Sequence, residues 1–123
     1  LPKIPFDELP KHLSAADILV VPQRDTTDTQ GQIPAKLFDA MAMAIPVVAT
    51  HVCDIPEVLG GTGYLVDPGK PEKLARTLKH VLDHPEEAKE KGLQARQRCV
   101  ELYDLKVMET KLQNLIEKLI DSP

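Results

Sequence analysis

The chain has 123 residues, 42% of them hydrophobic and 28% charged, enough for one soluble domain with an ordinary apolar core. Its formal net charge of −4 is spread over interspersed acids and bases, which leaves no basic footprint for nucleic acid or an anionic membrane. Cys53 and Cys99 stand far apart, outside any metal-ligand or CxxC spacing, and read as free thiols in a reducing compartment. No apolar run reaches the roughly 18 residues that span a bilayer, and LPKIPFDELP has no signal-peptide core, so the expected location is the cytoplasm.

Taken in order, residues Leu1 to Asp17 place Leu9, Leu13 and Ala16 on one face of a short helix. Ile18 to Val21 is an unbroken apolar run closed by Pro22, the pattern of a strand covered on both faces in a parallel sheet. The polar run RDTTDTQGQ, Arg24 to Gln32, follows at the carboxyl end of that strand, where open α/β sheets bind ligands. A plain solvated loop fits the same residues. Pro34, with its fixed φ and no N–H, suits the first position of a helix running to Ala44. Ile33 then falls at the N-cap, where an isoleucine accepts no hydrogen bond, and the amides of Ala35 and Lys36 have no side-chain partner. Unpaired donors at the positive end of a helix suit an anion. Gly31 lets a ligand approach the backbone, and Lys36 adds a full charge beside the same turn. Asp39 lies on the same side of the helix, roughly 4–5 Å up its axis. Two readings stand: a phosphate cradle with a carboxylate above it for hydroxyl groups, or a solvated Lys36–Asp39 pair with water on the first turn.

Leu37, Phe38, Met41 and Ala44 form the inward stripe of that helix, which Ile45-Pro46 ends before Val47 to Thr50 make a second buried strand. Strand, loop, helix and strand form a crossover unit, right-handed in nearly all proteins, so a Rossmann-like parallel sheet is expected. His51, Cys53 and Asp54 crowd one loop without a second ligand cluster, and read as structural rather than as a metal centre. Ile55 to Leu59 is a helical turn that carries Glu57 toward the crevice. Gly60 to Gly63 is a turn that precedes a third strand, Tyr64 to Val66, so it lacks the strand-to-helix context of a phosphate loop. From Pro71 the pattern is helical, with Leu74, Leu78, Val81 and Leu82 as an apolar stripe that stops at Asp83-His84-Pro85. Pro85 starts another helix, with Glu86 and Glu87 in its first turn and Arg96 and Arg98 set to pair with its C-terminal dipole. A last amphipathic helix runs from Leu105 to Ile120. His80 and His84 flank a helix end, a placement that favours surface roles over metal ligation.

PAKLFDAMAMAIPVVAT, followed by IPEVL and GTGYLVDPG, resembles the nucleotide-sugar site of group 1 (family 4) retaining glycosyltransferases, over the stretch from Ile4 to Tyr103. The resemblance implies the GT-B fold, in which two Rossmann-like domains enclose the reaction cleft. It makes residues 1–123 a single partial domain: the C-terminal portion of the donor-binding domain, an α/β unit with a partial parallel sheet of about three strands flanked by helices. The family's pattern has two glutamates eight positions apart, one near the donor sugar and one on the ribose hydroxyls; Gly31 and Asp39 stand at those positions here. By resemblance, Asp39 takes the ribose, the helix-start amides take the diphosphate, and Lys36 is the diphosphate's electrostatic partner. Gly31, Gln32, Pro34, Ala35, Lys36, Asp39 and Glu57 are therefore the candidate donor-binding residues, with no metal and no cofactor apart from the nucleotide diphospho-sugar donor substrate. The implied parent is a hexosyltransferase-type enzyme whose N-terminal GT-B domain is this chain's partner and carries most of the acceptor site. The isolated chain is expected to be inactive, and to form a homo-oligomer through the open edge of its first strand. The alternative, motivated by Gly31 and Asp39 at the two glutamate positions, is a non-catalytic nucleotide-binding or interaction module.

Overall fold

All four residues of strand β2 (Val47–Thr50) are buried, and the rest of the fold is laid around it. The computed structural model describes residues 2–122; Leu1 and Pro123 lie outside the described residues. A single 3-10 turn, Phe6–Glu8, leads into α1 (Leu9–Leu13) and then β1 (Leu19–Val21). After α2 (Ala35–Ala42) and β2 come α3 (Ile55–Leu59), β3 (Tyr64–Val66), α4 (Pro71–Asp83), α5 (Pro85–Tyr103) and α6 (Leu105–Ile120). The three strands form one parallel sheet in the order β1-β2-β3, with Leu19 opposite Val47 and Val48 opposite Tyr64. This is the expected Rossmann-like arrangement, with β1 as an edge strand.

Side chains alternate across a strand, so β2 feeds two cores. Val47 and Ala49 pack with Leu37, Met41, Ile55, Leu59 and Ala95, from α2, α3 and α5. Val48 points the other way, to Tyr64, Val66, Val81 and Ala88. Helices therefore cover both faces, which is why the strand sequences are continuous apolar runs rather than alternating ones. Leu74, Leu78 and Val81 pack as the stripe of α4 requires, whereas Leu82 is 65% exposed because it lies on the far side of Val81.

Both ends of α2 differ from expectation. Pro34 takes φ −61° but ψ 126°, so it is the N-cap and not the first helical residue; the helix begins at Ala35. At the other end the helix stops at Ala42, before Ile45-Pro46 is reached. The Ile45 amide returns to the Ala40 carbonyl at 2.9 Å and the Ala44 amide to Met41 at 3.1 Å, the paired bonds that reverse a chain out of a helix. That reversal puts Ala44 in the left-handed region at φ 57°, which is uncomfortable for a residue with a Cβ. Helix α5 crosses at this point with Gly92, where a methyl group would run into the Ala44 carbonyl oxygen.

The arginines of α5 serve other helices and not their own. Arg96 donates to the Ala42 carbonyl at the end of α2, while Arg98 donates from Nε to the Val58 carbonyl at 2.9 Å and from Nη2 to the Glu57 carbonyl at 2.8 Å, at the end of α3. Each guanidinium thus sits at the negative pole of a neighbouring helix and satisfies carbonyls that have no partner within it. The last helix, α6, is capped by Asp104, whose carboxylate accepts from the Lys106 amide at 2.9 Å, and it displays Leu105, Leu112, Leu115 and Leu119 to solvent.

Two substitutions test this packing. Ala44→Gly removes the left-handed penalty and is expected to raise stability by about 1 kcal/mol. Gly92→Ala must push α5 away from α2, lowering stability by about 1–3 kcal/mol. Urea unfolding midpoints measure both; opposite signs would mean that the α2–α5 contact is not what limits the fold.

Candidate functional site

The loop after β1 is held in shape by its own side chains. Gln23 Nε2 donates to the Thr29 and Gln32 carbonyls, each at 3.2 Å, and so spans the whole loop. Thr50, the last residue of β2, is buried and donates its hydroxyl to the Gln23 carbonyl at 2.7 Å. The loop after β2 meets the same structure from the other side, because the Gly31 amide donates to Cys53 Sγ at 3.0 Å. Cys53 adopts φ 52° to do so, a strained backbone for a non-glycine residue. Gly31 itself is at φ 85° and exposed, with nothing within 4 Å of where a Cβ would stand.

The start of α2 emerges from this tie. Pro34 offers no side-chain acceptor, and among the described residues the amides of Ala35 and Lys36 donate to nothing; the first paired amide is that of Leu37, which reaches the Pro34 carbonyl at 3.0 Å. The shift of the N-cap from Ile33 to Pro34 leaves the consequence unchanged, since neither residue can cap. Gly31, Gln32, Ala35 and Lys36 are exposed and Pro34 half-buried, so together they form a ledge at the carboxyl side of the sheet. Asp39 lies one turn along, half-buried at the rim of a cavity of about 180 Å³ that α2 shares with Phe6, Leu9 and Leu13. Lys36 and Asp39 form no ion pair with each other among the described residues. Glu57 is exposed on α3, with its carbonyl held by Arg98.

A separate cavity of about 290 Å³ opens at the ends of all three strands and is lined by Arg24, Thr50, Val66, Asp67 and Lys70; none of the expected residues lines it. Lys73 and Lys70, at 2.6 and 3.4 Å, hold the Asp67 carboxyl below its ordinary range, so the acid at this mouth is already neutralised. Gln23 and Thr50 are the residues that sequence reasoning missed, while Cys53, read as structural, is the acceptor that ties Gly31. A threonine ending an otherwise apolar buried strand was the available signal, because such a hydroxyl must find a partner.

The arrangement presents backbone donors, one lysine and one carboxylate on a ledge at the carboxyl end of a parallel sheet, the place where such sheets bind ligands. The family model for glycosyl transferases group 1 matches residues 2–84. The chain is 31% identical over 113 residues to the sulfoquinovosyl transferase SQD2 of Arabidopsis thaliana, covering 88% of this chain and 21% of that protein. Its fold superposes on a sucrose-phosphate synthase from Thermosynechococcus elongatus with a TM-score of 0.85 at 25% identity, over 100% of this chain and 30% of that one. It superposes on the Anabaena protein HepE, solved in complex with UDP, with a TM-score of 0.81 at 17% identity, over 90% of this chain and 30% of that one. The chain therefore spans between 21% and 30% of the length of these proteins.

Thr50→Val tests whether the ledge depends on its buried tie. The shapes match, but the variant leaves the Gln23 carbonyl without its donor, and a loss of about 1–3 kcal/mol is expected in chemical unfolding. Thr50→Ser should recover most of it. If valine is neutral, the hydroxyl does not hold the loop.

Proposed function

This chain belongs to the group 1 glycosyltransferases, and from that premise we propose that the whole protein transfers a sugar from a nucleotide diphospho-sugar to an acceptor, with this chain supplying the diphosphate and ribose part of the donor subsite. The observation that carries the reading is the uncapped start of α2 at the crevice, with the Ala35 and Lys36 amides unpaired among the described residues. Breaking the sugar–phosphate bond leaves negative charge on the departing diphosphate. Fixed donors aimed at that charge stabilise it without having to reorganise during the reaction. Here they are two amides at a positive helix end, with the Lys36 ammonium beside them. Gly31 and Gln32 frame the approach, Gly31 because its bare backbone leaves the space open. Asp39 accepts from ribose hydroxyls, and Glu57 faces the donor from α3. The UDP bound to HepE supports a nucleoside diphosphate as the ligand class. On this reading the free edge of β1 pairs with further strands of the parent domain, or with a second copy of the chain.

Lys36→Ala and Asp39→Ala are each expected to weaken nucleoside diphosphate binding by about 1.5–3 kcal/mol, the range for hydrogen bonds to charged groups, with the fold intact. Calorimetric titration of the protein with a panel of nucleoside diphosphates reads this directly. Unchanged affinity in both variants would reduce the two side chains to solvated surface groups. In phosphate-soaked crystals the anion is expected at the Ala35 and Lys36 amides; density confined to the Gly60 to Gly63 turn would sink the cradle.

A further inference from the structure

At the opposite end of the sheet, where α4 stops and α5 starts, His80, His84 and Glu87 come together. One ligand atom from each lies within 4.8 Å of the others. His80 Nε2 is 3.0 Å from Glu87 Oε2, and the two imidazoles stack with centroids 4.1 Å apart. His84 Nδ1 lies 2.7 Å from the His80 carbonyl oxygen, which can only accept, so Nδ1 is the donor and Nε2 is the nitrogen left to ligate in the neutral ring. A backbone carbonyl on one ring nitrogen is how metal-binding histidines are oriented so that the other nitrogen can ligate.

A second observation points at the same place. Tyr64, the first residue of β3, is 8% exposed, and its hydroxyl is buried without a hydrogen-bond partner among the described residues. Its ring meets His80 edge-on at 6.1 Å. A tyrosine hydroxyl is a protonated donor at neutral pH. A buried hydroxyl with no acceptor is costly, and turning one oxygen of Glu87 toward it would satisfy it while the other oxygen ligates. Of the neighbouring charges, the Lys91 ammonium lies over the Tyr64 ring at 5.1 Å and donates to the Gly61 carbonyl at 3.1 Å, and Asp83 is paired with Lys79 at 2.8 Å.

We propose that His80, His84 and Glu87 bind a divalent transition-metal ion, with the Tyr64 hydroxyl as the outer donor that orients the glutamate. Two imidazole nitrogens and one carboxylate oxygen are a zinc-type donor set, whereas magnesium or calcium would find a single oxygen. All three ligands are exposed, so the fourth position is open to water. The ion would clamp the α4–α5 junction to the base of β3. Because α4 leaves the carboxyl end of β3 and runs back along the sheet, this site is remote from the donor ledge and independent of the sugar-transfer reading.

Zinc chloride titrated into chelator-treated protein tests the proposal by calorimetry and by thermal melts. One ion per chain is expected, with a melting temperature that rises with zinc concentration and no response to magnesium chloride. His80→Ala and His84→Ala should each abolish the stoichiometric heat, and Glu87→Gln should weaken it. Tyr64→Phe leaves the ligands in place, so its expected effect of about 10–100-fold on affinity reports the outer donor. Cobalt(II) in place of zinc should give a visible spectrum without a thiolate charge-transfer band. Absence of stoichiometric binding, binding unchanged in His80→Ala and His84→Ala, or a thiolate band that disappears in Cys53→Ser would overturn the assignment.

Discussion

The closeness with which α5 lies on the end of α2 governs the rest of the molecule. Gly92 lets the helix backbone approach the Ala44 carbonyl, and Arg96 then reaches the Ala42 carbonyl from the same side. The two contacts fix the end of α2 just before β2 begins, and Arg98, farther along α5, fixes the end of α3 in the same way. A single long helix therefore sets where two shorter ones stop. Since a helix is stiff, fixing where α2 ends also fixes where it starts, and the uncapped amides are delivered to the crevice by packing some distance below them. Short helices are marginal by themselves, so this dependence on α5 is what keeps α2 and α3 folded.

The crevice end is then built almost entirely from neutral hydrogen bonds. Thr50 holds Gln23, Gln23 holds the loop at Thr29 and Gln32, and Cys53 holds Gly31. Such ties cost little desolvation compared with ion pairs, and they leave the local potential to the helix start and to Lys36. The strained backbone of Cys53 sits at the same tie, since its thiol accepts from the Gly31 amide in that conformation.

The sheet, its three strands and the bounds of α4 and α6 were legible in the sequence because they rest on local periodicity and on proline punctuation. Legibility failed wherever a residue's role depends on a distant partner. Pro34 was assigned to the first turn from its φ, but ψ decides between a helical residue and a cap, and a sequence does not reveal ψ. The reversal at Ala44 was hidden because glycine is the usual residue there. Arg96 and Arg98 looked like groups for their own helix dipole, whereas their partners lie 40 or more residues away. Glu87 read as a favourable first-turn acid, and only the return of α5 beside α4 shows it facing His80. The proposed donor residues Gly31, Gln32, Pro34, Ala35 and Lys36 stand out in the sequence because they cluster at one helix start, whereas Glu57 is proposed on resemblance.

The charges themselves separate scaffold from ledge. On α4 Lys79 pairs with Asp83 four residues on, and at the turn before it Lys70 and Lys73 both reach Asp67, as surface groups do. Lys36 and Asp39 are three apart on α2, a spacing at which helical pairs can form, yet they do not pair among the described residues. Asp39 turns instead to the rim of the α1–α2 cavity, half-buried beside Leu9 and Leu13, where a carboxylate loses water without gaining a cation. The positive end of α2 lies a turn below and offsets part of that cost. Pairing would have neutralised both groups. Left apart, the ammonium and the carboxylate stay separate charges about one turn apart along α2, the property on which the proposed ribose diphosphate subsite rests.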